Sequence, residues 1–156
     1  MRSPAFTVEP TFTLPQPSAP KVTLYSDPHK AQAELDAALA EAKKERKRVI
    51  VVFGANWCYD CHVLDTTFHS REFAPLVDAH YVVVHVNLGE EGKENNDLAA
   101  RFRVVLDQGI ASLGVLDPEG AIFYGQKKGE FEATDKIGPE DVRAFLEKWK
   151  LRRTSE

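Results

Sequence analysis

The chain of 156 residues contains only two cysteines, and they stand two residues apart in the sequence WCYDC at residues 57–61. A pair at this spacing can form a disulfide that opens and closes, or can supply half of a tetrahedral metal site. A zinc site would need two more ligands, and the nearest histidines are His62 and His69. Ligation by the adjacent Cys61 and His62 is sterically awkward, and there is no second CxxC pair. The spacing therefore favours redox chemistry, with metal binding as the alternative.

The segments around the cysteines predict a strand that runs directly into a helix. Residues 49–53 are a continuous run typical of a strand buried on both faces, and the apolar pattern through Phe68 predicts a helix that begins near Cys58. The unpaired N–H groups and the dipole of a first helical turn favour a thiolate at Cys58. Cys61, one turn further along, is then placed to resolve a mixed disulfide formed at Cys58.

The remaining pattern predicts an α/β fold, with a central mixed β-sheet flanked by α-helices in a single domain. The other predicted elements are a helix from Asp27-Pro28 through Ala42, a short helix capped by Ser70 and limited or kinked by Pro75, a strand at Tyr81–Leu88, a short helix at Asp97–Arg103, a hairpin of Leu113–Leu116 with Ala121–Tyr124, and a helix from Pro139 to Trp149. The first two strands are expected to be parallel and the hairpin antiparallel.

The domain organisation follows from proline content. Residues 1–24 hold five prolines and predict an extended tail or linker, residues 25–151 the folded domain, and residues 152–156 a second short tail. Residues 22–25 are predicted to add a short edge strand.

Composition excludes several classes of protein. A hydrophobic content of 43% suits one folded core, and a net charge of −4 with 28% charged residues argues against a nucleic-acid partner. The basic run at residues 43–48 is interpreted as the solvated end of a helix. No apolar stretch is long enough to predict a membrane span. The sequence leaves the compartment open: periplasmic if a signal peptide has been removed, and otherwise cytoplasmic.

Residues 49–61, VIVVFGANWCYDC, resemble the strand and active-site turn of the thioredoxin superfamily, and most closely its bacterial branch with Trp-Cys-x-Asp-Cys. The resemblance extends from about Tyr25 to Trp149 and includes the GIxxLxVLDxxG pattern at residues 109–120. It implies a thioredoxin fold and thiol–disulfide exchange with protein disulfide substrates and a thiol–disulfide electron donor. It also implies that Trp57 lies beside the attacking cysteine, that no cofactor or metal is needed beyond the redox-active disulfide, and that the protein is a monomer.

The chain departs from the family at Ala111, where the family usually has a proline with a cis peptide bond facing the cysteines. Because a cis bond to alanine costs about 3–4 kcal/mol, against about 0.5–1 for proline, a trans Ile110–Ala111 bond and an altered substrate groove are expected. In the family this proline also shields the cysteines from metal. Its loss supports two alternatives, a non-catalytic binding module and a metal or iron–sulfur carrier; a four-thiolate cluster would need two chains.

Two further departures concern groups that set thiol reactivity. Val52 replaces an aspartate that helps to deprotonate the resolving cysteine in the family, and His85 falls where a lysine is frequent. With strand alternation, His85 can face the active-site helix as a replacement base for Cys61, or it is an ordinary hydrogen-bonded strand histidine. Tyr59 and Asp60 replace the usual Gly-Pro. The charge of Asp60 is expected to raise the thiol pKa at Cys58, which favours a reducing enzyme.

Overall fold

The computed structural model describes residues 23–106, 110–125 and 138–150. A short 3₁₀ turn at Pro28–Lys30 precedes the first helix. The elements then follow in the order α1 (Ala31–Glu45), β1 (Arg48–Gly54), α2 (Tyr59–Phe68), α3 (Ala74–His80), β2 (Tyr81–Asn87), α4 (Asn96–Arg101), β3 (Ser112–Leu116), β4 (Ile122–Gly125) and α5 (Pro139–Trp149). Within the described residues, no helix combines the length and the hydropathy needed to cross a membrane.

The strands form one mixed sheet in the order β2-β1-β3-β4. β1 runs parallel to β2 and antiparallel to β3, and β3 pairs antiparallel with β4. This confirms the predicted architecture. The first two strands are parallel and are joined by a helical crossover, and the last two are antiparallel and are joined by a tight hairpin. The sheet lies within the predicted domain of residues 25–151; of the predicted tails, residues 1–24 and 152–156, only residues 23 and 24 are described.

Every residue of β1 is buried, because the strand is central and helices cover both faces of the sheet. Val49, Val51 and Phe53 pack into a cluster with α1 and α4. Ile50 and Val52 point to the opposite face, into a cluster formed with α2, α3 and α5. The prediction of a strand buried on both faces is confirmed, and β1 leads directly to the cysteines.

The predicted edge strand at residues 22–25 is wrong in its described part. Residues 23–25 belong to no strand, and their backbone is held by a side chain instead. The N–H groups of Leu24 and Tyr25 donate to Asn56 Oδ1 at 2.8 and 2.7 Å, and Asn56 Nδ2 donates to the Tyr25 carbonyl at 3.1 Å. The partner of this backbone is the active-site turn and not a strand edge.

Pro75 begins a helix, whereas the sequence predicted that it would limit or kink one. It lies in the first turn of α3, where a missing N–H leaves no hydrogen bond unmade. Ser70 caps a separate turn, in which its backbone carbonyl and hydroxyl accept from Phe73 at 3.2 and 3.3 Å. The residues between Ser70 and α3 are therefore a turn, and the helix starts three residues later than the cap predicted.

Candidate active site

The two cysteines form a disulfide at the junction between β1 and α2, as the spacing predicted, with their Cα atoms 5.3 Å apart. Cys58 is the N-cap of α2 and has an extended backbone, so its side chain projects over the start of the helix. The N–H of Cys61 donates to Cys58 Sγ at 3.2 Å. This N–H is one of the unpaired donors of a helix start, and it favours negative charge on Cys58 when the disulfide is open.

The disulfide lies beneath a small aromatic surface. Cys58 and Cys61 are 5% and 1% exposed, so Cys58 is the more accessible of the two. Trp57 and Tyr59, which flank Cys58, are 52% and 48% exposed, and Trp57 Nε1 donates to the Gly89 carbonyl at 3.1 Å. Among the described residues the only other large exposed apolar side chain is Phe123. The aromatic surface is thus concentrated beside the more accessible cysteine.

The Ile110–Ala111 peptide bond is cis, so the predicted trans bond is wrong. The prediction weighed only the local preference of a bond to alanine. Ala111 is fully buried in the same cluster as both cysteines, and β3 begins at the next residue. Packing around the buried Ala111 therefore overrides the local preference of this bond, and the altered substrate groove that was expected with it stays a prediction. Ile110 is half-buried and packs against this cluster.

His85 on β2 pairs in register with Val52 and reaches towards α2. Its Nε2 lies 3.6 Å from Asp65 Oδ1, and its ring contacts the Tyr25 ring edge-to-face at 5.0 Å. Burial lowers the pKa of His85, and the Asp65 carboxylate opposes that shift. The imidazole therefore faces the active-site helix as predicted, while its action as a base for Cys61 remains a prediction.

Tyr25 is a residue that the sequence analysis missed at this site. Its side chain is buried, and its hydroxyl has no hydrogen-bond partner among the described residues. A Cβ added at Gly54 would collide with both the Tyr25 hydroxyl and Cys61 Sγ, so these two atoms are near neighbours across the glycine. Burial raises the pKa of Tyr25 far above its ordinary value, and the charge of Asp65 acts in the same direction. The only sequence signal was the glycine at the end of β1.

The histidines considered as zinc ligands have other partners. His62 Nε2 donates to the Asn56 carbonyl at 2.7 Å, and His69 Nδ1 lies 2.9 Å from the Asp65 carbonyl. Across the described ranges, no group of three or more histidine, cysteine, aspartate or glutamate side chains is placed to hold a metal ion.

Comparison with known proteins finds curated relatives with low sequence identity. Two curated relatives are the thiol:disulfide interchange proteins DsbD of Pseudomonas fluorescens and DsbD 2 of Pseudomonas aeruginosa. They are 25% and 23% identical to this chain over 122 and 121 residues, which cover 77% and 78% of it. The matches cover 19% of each relative, so the chain spans about a fifth of their length.

Two solved structures share the fold. A disulphide isomerase from Xylella fastidiosa Temecula1 superposes with a TM-score of 0.74 and 28% identity, over 82% of this chain and 97% of its own. The C-terminal domain of Neisseria meningitidis DsbD in its reduced form superposes with a TM-score of 0.52 and 20% identity, over 81% and 100%. The second identity is low enough that this likeness concerns the fold alone.

A family model described as thioredoxin-like matches residues 30–118. These residues are more than half of the chain and include β1, the cysteines and the first part of the hairpin. With the disulfide at the start of α2, the match shows that the chain belongs to the thioredoxin-like family and is a thiol–disulfide oxidoreductase.

Proposed function

We propose that this protein reduces disulfide bonds in other proteins, with Cys58 as the attacking and Cys61 as the resolving thiol. The observation that carries the proposal is the position of Cys58 at the N-cap of α2, where the Cys61 N–H points at its sulfur. A thiolate is the attacking species in exchange, and this position stabilises one. Cys58 is also the more exposed cysteine, between two exposed aromatic side chains.

The reaction balances in two exchanges. The Cys58 thiolate attacks a substrate disulfide, a mixed disulfide forms, and one substrate sulfur leaves as a thiolate. The Cys61 thiolate then attacks Cys58 Sγ, the mixed disulfide breaks, and the second substrate sulfur leaves. The substrate gains two electrons and the enzyme is left with the Cys58–Cys61 disulfide. A protein or small-molecule dithiol must then reduce the enzyme, which makes a thiol–disulfide electron donor the second partner.

Asp60 supports the reducing direction. It lies in the first turn of α2, between the two cysteines in sequence. A carboxylate there opposes a thiolate at Cys58 and so raises the thiol pKa. Strong oxidants have a very acidic thiol whose thiolate stabilises the reduced form; a less stable thiolate favours the enzyme disulfide and therefore reduction of the substrate. The exposed rings of Trp57 and Tyr59 offer an unfolded or extended protein substrate an apolar contact next to Cys58.

The direction is tested by equilibrating the purified protein in graded thiol–disulfide buffers and following the thiol content by mass spectrometry. A reductase should show a two-electron transition near the potential of thioredoxin, roughly −270 mV, whereas an oxidant would titrate towards roughly −120 mV. A reversible transition at the oxidising end would contradict the reducing direction and leave the exchange chemistry in place.

Two other functions stay open to experiment. A non-catalytic binding module would keep its function when both cysteines are replaced by serine. A metal or iron–sulfur carrier would show metal by elemental analysis after purification without oxygen. Reversible titration of the cysteine pair in metal-free protein, combined with loss of function in the double-serine variant, would argue against both.

A further inference from the structure

The buried hydroxyl of Tyr25 is a polar group that the exchange reaction leaves unassigned. It has no hydrogen-bond partner within the described part of the chain, although burying a hydroxyl without a partner destabilises a protein. It shares the space above Gly54 with Cys61 Sγ, the sulfur of the resolving cysteine. An unpaired donor beside a redox-active sulfur suggests that the partner exists in the other redox state.

Several contacts hold Tyr25 in this position. Its N–H and its carbonyl are both bound by the side chain of Asn56, two residues before Cys58. Its ring packs edge-to-face on His85, and its side chain is 2% exposed. Because backbone and ring are both fixed, the hydroxyl stays beside Cys61 without a loss of conformational entropy during the reaction.

The two redox states differ in what Cys61 offers to this hydroxyl. In the disulfide, Sγ is a neutral and weak acceptor, and the hydroxyl is unpaired. After reduction, Sγ carries a proton or a negative charge, and a thiolate is a strong acceptor for a neighbouring O–H. We propose that Tyr25 is a positioning residue, which donates a hydrogen bond to Cys61 Sγ in the reduced enzyme and stabilises the thiolate of the resolving cysteine.

The electrostatics of the pocket agree with a donor role. Burial and the charge of Asp65 raise the pKa of Tyr25, so the phenol keeps its proton at neutral pH. The titratable groups facing Tyr25 are Asp65 on α2 and His85 on β2. A substitution at residue 25 leaves both of these side chains present. Tyr25 therefore donates a hydrogen bond and does not take the thiol proton.

The consequence concerns the second exchange. Cys61 Sγ forms its bond to Cys58 Sγ while the bond to the substrate sulfur breaks, and the electron pair leaves on the substrate. A larger thiolate fraction at Cys61 speeds this step, and in the reverse reaction the same hydrogen bond stabilises Cys61 as the leaving thiolate. The inference rests on exchange at Cys58 and Cys61 and holds for either direction.

Tyr25→Phe is the test, because it keeps the ring and removes only the hydroxyl. The variant loses a hydrogen bond of the reduced state and an unpaired group of the oxidised state, and both effects favour the disulfide. We expect the equilibrium in graded glutathione buffers to shift about tenfold towards the disulfide, which equals about 30 mV for two electrons. The pH profile for resolution of a Cys58 mixed disulfide should move to higher pH.

Tyr81→Phe is the matched control. The Tyr81 hydroxyl is also buried, but it donates to the Leu146 carbonyl at 2.6 Å, on α5. Its loss should lower stability and leave the redox equilibrium unchanged. An unshifted equilibrium in Tyr25→Phe, or equal shifts in both variants, would overturn the inference. If the unaltered protein showed no reversible transition at all, the proposed function would fail together with it.

Discussion

The two cysteines share one disulfide but have different surroundings. Cys58 is the N-cap of α2 and lies between the exposed side chains of Trp57 and Tyr59, so residues adjacent in sequence make its environment. Cys61 is deeper, and the polar group beside it comes from Tyr25, in a segment ahead of α1. The surroundings of the attacking sulfur are therefore set by local backbone geometry, and those of the resolving sulfur by packing between residues distant in sequence.

The largest effects are expected when each cysteine in turn is replaced by serine, which tests the different roles of the two sulfurs. Cys58→Ser should abolish disulfide reduction, because the accessible thiolate is gone. Cys61→Ser should attack once and then hold the substrate, because a serine hydroxyl does not displace a sulfur from a mixed disulfide. Each variant is incubated in its reduced form with a disulfide-bonded protein and analysed by non-reducing electrophoresis and mass spectrometry. The double-serine variant is the control, and trapping by Cys58→Ser would reverse the two roles.

Gly54→Ala should disturb the Cys61 side alone. The added Cβ would meet Cys61 Sγ and the Tyr25 hydroxyl, the two atoms nearest to it. Overpacking of this kind is expected to lower the free energy of unfolding by about 1–3 kcal/mol, measured by urea denaturation. Gly114→Ala on β3 is a matched change, whose Cβ would meet Val104 at 3.2 Å. Equal losses in the two variants would show that the contact with Cys61 and Tyr25 is not tight.

A smaller effect concerns the pH dependence of stability at His85. Burial lowers the pKa of His85 in the folded protein, so the unfolded chain binds this proton more readily. The contribution is fully present above the ordinary pKa of about 6.5 and is lost as the pH falls towards the lower folded value. The free energy of unfolding should therefore decrease below about pH 6.5, with a slope of at most about 1.4 kcal/mol per pH unit from this group.

His85→Gln should flatten that part of the profile, measured by urea unfolding at about pH 8 and about pH 5. His29→Gln serves as the control, because the His29 side chain is 89% exposed and lies in the 3₁₀ turn ahead of α1. An unchanged slope in the His85 variant would mean that the imidazole is protonated in the folded protein as easily as in the unfolded chain.

The sequence predicted what depends on neighbours along the chain. The β-branched run gave β1, the two-residue spacing gave the disulfide, and the junction between them placed Cys58 at a helix start. The mixed sheet followed from the same local patterns, since connection lengths decide which strands run parallel.

Features that depend on distant packing could not be predicted in this way. Ala111 has a local preference for a trans bond, but the core around it and the start of β3 decide otherwise. Tyr25 follows a proline-rich segment whose pattern predicts nothing about burial, and it is fixed by Asn56 from the other side of β1. The pattern of apolar residues in a single sequence does not predict which side chain fills the space above Gly54.

The attachment of Leu24 and Tyr25 to Asn56 also fixes where the chain arrives at the domain. Residue 23 directly precedes Leu24, whose N–H donates to Asn56 in the active-site turn, two residues before Cys58. A group joined just ahead of this point is tethered to the reaction centre, and short tethers give local concentrations in the millimolar range. A cysteine-bearing peptide or a fluorophore attached at Thr23 is thus held close to the active-site turn by the contacts of the next two residues with Asn56.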